Sequence, residues 1–261
     1  MSIITLTTDL GIQDNYVALV KAAIYKQLPE INIVDISNEI SKFDIQEAAF
    51  VFKNCYKEFP EGTVHIIGVN DEISVDNQHI ALKIDNHFVI GPDNSIFSLI
   101  FDEIRADKIV QLNFIQESNS LTFPTKDVFV IAACHLSRGG TLEMIGNEIP
   151  DFINKKSLLK AVTEKNMIRG NVLHIDSYGN ATTNIDKSLF DKIGMGREFT
   201  ILYGREDEEI KKISKKYKDV SPGDKLALFG INNLLEISMN KGKASDLLGL
   251  HYYDTIRIEF R

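Results

Sequence analysis

Cysteine is scarce in this sequence, and long apolar runs are absent. Only two of the 261 residues are cysteines, Cys55 and Cys134, which excludes a framework of several disulfide bonds. Cys134 lies in the apolar segment VFVIAACHL, so we expect a buried core thiol rather than a reactive one. No apolar stretch approaches the roughly 18 residues of a membrane-spanning helix, and the first residues are typical of a β-strand rather than a signal peptide. We therefore expect a reduced, cytoplasmic protein with no membrane partner.

The sequence also lacks the motifs of several common enzyme classes. It contains no G-x-G-x-x-G segment for a dinucleotide and no G-x-S-x-G segment for a hydrolase nucleophile. Its six histidines are scattered, with no H-x-x-x-H or C-x-x-C pair, so no metal site is predicted. Lys and Arg number 29 against 37 Asp and Glu, giving a formal net charge of -8. Such a surface does not favour nucleic acid, because phosphate contacts need basic side chains.

Strand and helix patterns alternate through the first 150 residues. Apolar runs predict strands, and segments with helical periodicity lie between them, at 3–9 (strand), 15–29 (helix), 31–37 (strand), 44–60 (helix) and 63–69 (strand). Further along come a predicted hairpin, 79–85 with 87–93, and two predicted helices, 95–104 and 127–139. Asp44 is predicted to cap the second helix, with Glu47 completing a capping box. This alternation indicates an α/β fold with a largely parallel sheet.

The character of the sequence changes after residue 150. Residues 156–165 are polar and charged, which predicts a linker or a connecting strand. Beyond them, short alternating segments separated by Gly, Asn and Asp predict a small all-β domain. We therefore predict an N-terminal α/β domain at 1–155 and a C-terminal β domain at 166–261.

Two acids flank the first predicted turn from strand to helix, in TTDLGIQDNYV. In open α/β sheets, ligands bind at the carboxyl ends of the strands, where Asp9 would lie. Asp9 and Asp14 would suit the vicinal hydroxyls of a ribose, which donate hydrogen bonds, and a cationic group. The structural alternative is that Asp14 or Asn15 caps the following helix. The pattern alone leaves both interpretations open.

A second polar segment, HIDSYGNATTNI at 174–185, contains more amide, hydroxyl and carboxylate groups than a tight turn needs. A purine can stack on Tyr178 while Asn180 hydrogen-bonds its polar edge. By contrast, Gly-Pro-Asp-Asn at 91–94 is typical of a structural turn, and FPTKDVF at 123–129 of the start of a helix.

Taken together and in order, these motifs resemble the S-adenosylmethionine hydroxide adenosyltransferases, which share a fold with the fluorinases and chlorinases. The matching stretches are TTDLGIQDNYVALVKAAI, IVDISNEISKFDIQEAAFVF, GTVHIIGV, VIGPDNSIFSLI, FPTKDVFVIAACHLSRG, HIDSYGNATTNI and LLEISMNKGKASDLLGL. The resemblance implies a C-terminal domain of β-barrel type and a homotrimer with sites between subunits. It also implies attack of a nucleophile on the ribose C5′ of S-adenosylmethionine, which expels methionine. No cofactor or metal is implied, because a sulfonium is already a good leaving group.

The resemblance assigns ligand contacts in the N-terminal half. Asp9 would hold the ribose 2′ and 3′ hydroxyls, and Asp14 would face the ammonium of the methionine part. Phe43 occupies the position at which the halogenases keep an aromatic side chain against the nucleoside.

The C-terminal half would supply the remaining contacts. Asp176 would meet the amino-acid end, and Tyr178 and Asn180 would stack on and hydrogen-bond the adenine. Asn232, in FGINNLLEI, falls near the contact to the methionine carboxylate.

The sequence departs from the hydrolytic members where they hold the attacking water. Those members carry an Asp and an Arg in a segment resembling VDPGVGxxRR and a His in FHGRD. Here VNDEISVDNQ, residues 69–78, puts Asn70 and Asn77 in the first two positions, and FPTKD puts Pro124 in the third. Asn takes no proton at neutral pH, and Pro124 has no side-chain donor.

A shift of one residue in this loop brings Asp71 or Asp76 into play instead, and Thr125 falls where the halogenases place a hydroxyl. Three functions therefore stay open. The first is hydrolysis of S-adenosylmethionine to adenosine and methionine with water. The second is binding of S-adenosylmethionine or adenosine without turnover. The third is attack by another nucleophile, such as halide, served by Thr125 and Asn70.

Overall fold

The computed structural model describes residues 2–101, 104–114, 122–153, 159–204 and 208–261. The chain divides into two compact units, Met1–Lys156 and Ser157–Arg261. The strands of the first unit are β1 (Ile3–Thr8), β2 (Asn32–Ser37), β3 (Val64–Gly68), β4 (His79–Ile84), β5 (His87–Pro92), β6 (Lys108–Leu112) and β7 (Gly146–Glu148). Its helices are α1 (Tyr16–Gln27), α2 (Ile45–Lys53), α3 (Ile96–Ile100) and α4 (Val130–Ser137).

The seven strands of the first unit form one sheet in the order β2-β1-β3-β5-β4-β6-β7. The pairs β1 with β2, β1 with β3 and β3 with β5 are parallel, whereas β4 and β7 run against their neighbours. Five strands therefore point the same way, and the predicted α/β fold with a largely parallel sheet is confirmed. Helices cover both faces, which explains why the central strands are almost continuously apolar rather than alternating.

Two apolar cores lie on the two faces of this sheet. On one face, Ile4 and Leu6 of β1 pack with Val20 and Ile24 of α1 and with helix α4. On the other, residues of β3, β4 and β5 pack with α2, α3 and the buried ring of Tyr56. Cys134 belongs to the first core with no exposed surface, and burial raises the pKa of its thiol to about 11. The predicted core thiol is confirmed.

Local signals in the first unit are partly confirmed. Asp44 caps α2 as predicted, because its Oδ1 accepts from the backbone N–H groups of Gln46 and Glu47. The capping box is wrong: the Glu47 carboxylate accepts from Ser41 N at 2.8 Å, while Asp44 N donates to the Ser41 carbonyl. The loop before α2 thus brings the amide of Ser41, three residues before the N-cap, to the Glu47 carboxylate, and the amide of Asp44 is used by the Ser41 carbonyl.

Other predicted boundaries in this unit change. The hairpin of β4 and β5 is confirmed, with Asp85 and Asn86 both at positive φ in its turn. The helix predicted at 95–104 is shorter, since α3 ends at Ile100; residues 102–103 lie outside the described part of the chain. Strands β6 and β7 were not predicted.

The second unit is one antiparallel sheet that nearly closes on itself. Its strands are β8 (Val162–Glu164), β9 (Met167–Ile175), β10 (Ala181–Asp186), β11 (Phe199–Tyr203), β12 (Glu208–Ile210), β13 (Lys225–Phe229), β14 (Leu234–Met239) and β15 (Thr255–Phe260). The order is β12-β11-β15-β9-β10-β14-β13, and β8 pairs with β9. A bridge from Ile213, just after β12, to Ala227 of β13 brings the two edges together, so the barrel-like architecture is confirmed.

Two short helices interrupt the predicted all-β pattern of this unit, α5 (Lys187–Gly194) and α6 (Ala244–Leu248). Asp186 caps α5 by accepting from Leu189 N, and the ring of Phe190 packs on Phe260 of β15. Strand β8 lies in the interval 156–165, which was expected to hold a linker or a connecting strand, and residues 156–158 of that interval are outside the described residues. Among the described residues, no helix combines the length and apolar character needed to cross a membrane.

Candidate functional site

Two carboxylates lie at the carboxyl edge of the parallel strands. Strands β1 and β3 are parallel neighbours with Thr8 opposite Gly68, so Asp9 and Asp71 follow two adjacent strand ends. Asp9 N donates to the Gly68 carbonyl, and the Asp9 charge acts on Asp71. This edge is where open α/β sheets bind ligands, and the adjacent strand ends explain why the charge of one acid acts on the other.

Asp9 is held by the loop that precedes α2. Its Oδ2 accepts from Phe43 N at 2.9 Å, and its main-chain carbonyl accepts from the Lys42 ammonium. Phe43 has φ 64°, which turns its backbone amide towards Asp9, and its ring is 70% exposed. The structure thus brings Asp9 and Phe43 together, with an exposed aromatic surface beside a half-buried carboxylate.

Asp14 lies in the exposed loop before α1. The N-cap of this helix is Asn15, and no side-chain hydrogen bond caps it. Asn15 is therefore the N-cap residue, one of the two positions that the structural alternative named, although its side chain makes no capping hydrogen bond, and Asp14 is exposed. Its contact with an ammonium stays a prediction.

Asp71 is fastened to the start of the helix that follows residue 123. Its Oδ2 accepts from Thr125 N at 2.9 Å and from the Thr125 hydroxyl at 2.5 Å. Thr125 opens a π-helical turn, Thr125–Phe129, that runs into α4, and such turns are frequent at functional sites. Thr125 also lies directly on Gly68, where an added Cβ would be 2.2 Å from its Oγ1.

The environment of Asp71 disfavours its charged form. Burial raises the pKa of this carboxyl; the Thr125 hydrogen bonds and the nearby His79 oppose that effect, and the charge of Asp9 adds to it. His79 Nε2 donates to the Asp71 carbonyl at 2.8 Å, and burial lowers the pKa of the His79 imidazole. Asp71 was only an alternative in the sequence; its carboxylate, not the side chain of Asn70, is the one coupled to Asp9.

Asn70 and Asn77 face another part of the loop. Asn77 Nδ2 donates to the carbonyls of Asn70 at 3.0 Å and Glu72 at 2.8 Å, so this amide fastens the loop. Asn94, from the Gly-Pro-Asp-Asn turn, donates to the carbonyls of Val69 and Asn70, and the structural interpretation of that turn is supported. A catalytic role for Asn70 or Asn77 stays a prediction.

Both asparagines line a cavity of about 660 Å³ in the first unit. The other lining residues are Glu72, Ile73, Ser74, Asp76, Asn94, Ser95 and Ile153. Asp76, the second alternative in the sequence, therefore faces this cavity, and Asp71 is not among its lining residues. The loop presents its carboxylates on two different sides.

In the second unit, Asp176 organises the loop between β9 and β10. Its Oδ1 accepts from the backbone N–H groups of Tyr178 and Asn180, and its Oδ2 accepts from Asn180 Nδ2, all at 2.9 Å. Gly179, at φ 81°, completes the turn beside Lys243. Three of the roughly four acceptor positions of the Asp176 carboxylate are thus occupied, so its contact with an ammonium stays a prediction.

This loop leaves two groups available to a ligand. The Tyr178 ring is 76% exposed, which suits stacking, while Asn180 is buried and keeps its Oδ1 as an acceptor because its Nδ2 serves Asp176. The structure therefore brings Asp176, Tyr178 and Asn180 together as one element, as their spacing suggested.

Asn232 lies elsewhere, in the turn between β13 and β14, where its Oδ1 accepts from Leu234 N at 3.1 Å. The adjacent Asn233 carbonyl accepts from Lys187, at the opposite end of β10 from Asn180. No hydrogen bond between described residues joins Asn232 to the Asp176 loop. Its contact with a carboxylate stays a prediction.

Sequence reasoning missed Tyr217 and Glu236. The Tyr217 hydroxyl donates to Glu236 Oε1 at 2.9 Å; burial, this bond and the charge of nearby Asp176 raise the Tyr217 pKa to about 12. Tyr217 stands in the charged run KKISKKYKD, which offers no signal for such a contact. Within the described residues, no three His, Cys, Asp or Glu side chains converge as metal ligands.

The first unit thus carries carboxylates at a sheet edge without a phosphate-binding loop, and the second unit carries a loop with an exposed aromatic side chain and a buried amide. Residues 4–146 match the SAM hydroxide adenosyltransferase N-terminal domain, and residues 170–257 match the C-terminal domain of the same family. The chain belongs to the SAM hydroxide adenosyltransferase family.

Individual relatives agree with this assignment. The (R)-S-adenosyl-L-methionine hydrolase of Methanocaldococcus jannaschii is 28% identical, covering 99% of this chain and 96% of its own length. A fluorinase of Nocardia brasiliensis is 26% identical over 74% of each chain. The crystal structure of an uncharacterized conserved protein from Thermotoga maritima has a TM-score of 0.88 and 28% identity, covering 99% of each chain.

Proposed function

We propose that this protein cleaves S-adenosylmethionine with water at the ribose C5′, giving adenosine and methionine. The observation that carries the proposal is the pair of carboxylates, Asp9 and Asp71, at the carboxyl edge of adjacent parallel strands. Such an edge attracts a sulfonium and an ammonium and can accept hydrogen bonds from a diol, whereas a phosphate would be repelled. The names of the hydrolase relatives support the same reaction.

The ligand contacts follow from the free groups. Asp9 accepts from the two ribose hydroxyls, and the exposed Phe43 ring covers the nucleoside. Tyr178 stacks on the adenine, and Asn180 Oδ1 accepts from its amino group, since Nδ2 is already used. Asp14 faces the ammonium.

The methionine end has two further proposed contacts. Asp176 adds its one remaining acceptor position to the ammonium, and Asn232 donates to the methionine carboxylate. Each side chain also makes hydrogen bonds within its own loop, which fix its position.

The reaction needs mainly the correct placement of the nucleophile relative to the substrate. The sulfonium leaves as a neutral thioether once a nucleophile is aligned behind C5′, and the protein contributes orientation and exclusion of bulk water.

We propose that no cofactor or metal takes part and that the protein acts in the cytoplasm. We further propose a homotrimer with sites between subunits; sedimentation velocity tests the trimeric mass.

The decisive experiment incubates the pure protein separately with the (R) and (S) sulfonium epimers of S-adenosylmethionine and separates the products by chromatography. The (R) configuration in the names of the relatives makes the epimer a necessary variable. Equal amounts of adenosine and methionine are expected, with no methylthioadenosine. Tight binding of both epimers without products would favour the binding protein that lacks turnover, and a 5′-halo-adenosine in the presence of halide would favour the halogenase.

A further inference from the structure

The cavity of about 660 Å³ beside the 69–78 loop is not used by the proposed reaction. The side chains that hold S-adenosylmethionine in that proposal are not among its lining residues. Among the described residues that line it are two acids, Glu72 and Asp76, and no Lys, Arg or His. Neither carboxylate makes a hydrogen bond or an ion pair with another described residue. The cavity therefore holds negative charge without a counter-ion from its own lining.

Two buried oxygen atoms of lining residues, Asn77 Oδ1 and Ser95 Oγ, also have no hydrogen-bond partner among the described residues. Ser95 is only 2% exposed, so its hydroxyl has little access to bulk solvent. A buried polar atom without a partner costs free energy. Both N–H bonds of the Asn77 amide go to the carbonyls of Asn70 and Glu72, so Asn77 offers the cavity only an acceptor. The group that satisfies it must be a hydrogen-bond donor.

Ser95 also has a strained backbone. Its φ of 82° and ψ of 2° lie in the left-handed region, which glycine adopts far more readily. Within the described part of the chain, no hydrogen bond of its hydroxyl offsets this strain, and residues of this kind concentrate at ligand sites. The preceding Asn94 donates to the carbonyls of Val69 and Asn70. The Ser95 hydroxyl is therefore held at a fixed place beside the 69–78 loop.

We propose that this cavity binds a linear alkyl diamine in its diammonium form, at a site separate from that of S-adenosylmethionine. Glu72 and Asp76 accept from the two ammonium ends, and Asn77 Oδ1 and Ser95 Oγ accept further N–H groups from them. This inference does not depend on the proposed hydrolysis.

Other small ligands match the lining less well. An anion would meet two carboxylates and no basic side chain. A metal ion would need several converging ligands, and no three His, Cys, Asp or Glu side chains converge within the described ranges. Ile73 and Ile153 give the lining an apolar part, which a methylene chain can cover and a hydrated inorganic cation cannot.

The test titrates the pure protein with 1,4-diaminobutane by isothermal titration calorimetry at low salt, with butylamine and 1,4-butanediol as comparison ligands. The diamine should bind, and butylamine should bind at least about tenfold more weakly because it satisfies only one carboxylate. Butanediol, which has no charge, should not bind measurably. Saturating adenosine and methionine, the products of the proposed reaction, should leave the affinity for the diamine unchanged. Displacement by either product would place the cavity within the substrate site and overturn the inference of a separate one.

The variant Ser95→Gly separates ligand binding from stability. It should raise the melting temperature, since glycine adopts a φ of 82° without strain, and lower the affinity for the diamine at least about threefold. Asp76→Asn and Glu72→Gln should each lower this affinity at least about tenfold. The matched control is Glu39→Gln, at an exposed carboxylate outside the cavity, which should leave the affinity unchanged.

The contrary outcomes are equally specific. Absence of diamine binding at about 10 mM would overturn the inference, and so would equal affinities in the wild type, Ser95→Gly and Asp76→Asn. An equal loss of affinity in Glu39→Gln would show that the diamine responds only to net charge, which also contradicts a built site. Formation of adenosine from S-adenosylmethionine tests the proposed function separately, and its absence would leave the diamine site standing.

Discussion

At the scale of single residues, Asp9 and Asp14 make separable predictions because adenosine has a ribose but no amino acid. Asp9→Asn keeps an acceptor for Phe43 N and loses the charge and one diol contact, so affinity for adenosine and S-adenosylmethionine should both fall at least about tenfold. Asp14→Asn should lower the affinity for S-adenosylmethionine and leave the affinity for adenosine unchanged. Isothermal titration with both ligands measures this, with Asp35→Asn, at an exposed ion pair with Lys21, as the control. Unchanged adenosine affinity in Asp9→Asn would refute the ribose contact.

Gly68 makes a second residue-scale prediction, through its contact with Thr125. A Cβ at position 68 would lie 2.2 Å from Thr125 Oγ1 but 3.1 Å from Thr125 Cβ. Gly68→Ala should therefore destabilise the protein by about 1–3 kcal/mol through overpacking. In the Gly68→Ala/Thr125→Ala double variant much of that cost should disappear, so the two effects are not additive. Urea unfolding of the wild type and the three variants measures the coupling free energy. Strictly additive losses of unfolding free energy would show that the two residues are not in steric conflict.

At the scale of elements, the N-caps of helices α1 and α2 differ. Asp44 accepts two backbone N–H groups of α2, whereas Asn15 makes no side-chain cap on α1. Asp44→Ala should therefore cost about 1 kcal/mol of unfolding free energy, and Asn15→Ala much less. Thermal melts of the two variants at neutral pH compare them directly. Equal losses would show that the Asp44 hydrogen bonds add nothing in solution.

The elements also show what the sequence can predict. Strands β1 and β3 were predictable because burial on both faces demands unbroken apolar runs, and Asp44 because capping is local in the chain. The Asp71–Thr125 contact was not, since it joins residues 54 positions apart and depends on how a loop and a helix start meet. The capping-box prediction for Glu47 was wrong for a related reason, because the path of the preceding loop decides which backbone amide its carboxylate reaches. The sequence therefore predicts contacts between residues close in the chain, but not pairings that depend on the tertiary structure.

At the scale of the whole molecule, a chain of buried polar side chains lies in the core of the first unit, on the strands β1, β3 and β5. Thr5 Oγ1 and His65 Nδ1 are 2.7 Å apart, and His65 Nε2 lies 3.2 Å from His87 Nδ1. The aromatic rings of Phe52 and Tyr56 pack edge-on against His65. Burial, together with the neighbouring His87, lowers the pKa of His65 to about 3, and burial also lowers the pKa of His87.

This chain of histidines should make the protein sensitive to acid. An unfolded His takes up a proton near pH 6.5, but folded His65 stays neutral down to about pH 3, so the unfolded state binds more protons between these values. Stability is therefore full above about pH 6.5 and falls as the pH drops, by about 2 kcal/mol for His65 alone between about pH 7 and pH 5. Asp71 and Asp93, whose pKa values burial raises, act in the opposite sense.

Comparing variants isolates the contribution of the histidine. His65→Gln should be less stable than the wild type at neutral pH, yet it should lose less stability on acidification. His251→Gln, at an exposed site, should follow the wild type. Urea midpoints at the two pH values measure both slopes, and identical slopes in His65→Gln and wild type would show that His65 takes up its proton at the same pH in the folded and unfolded states.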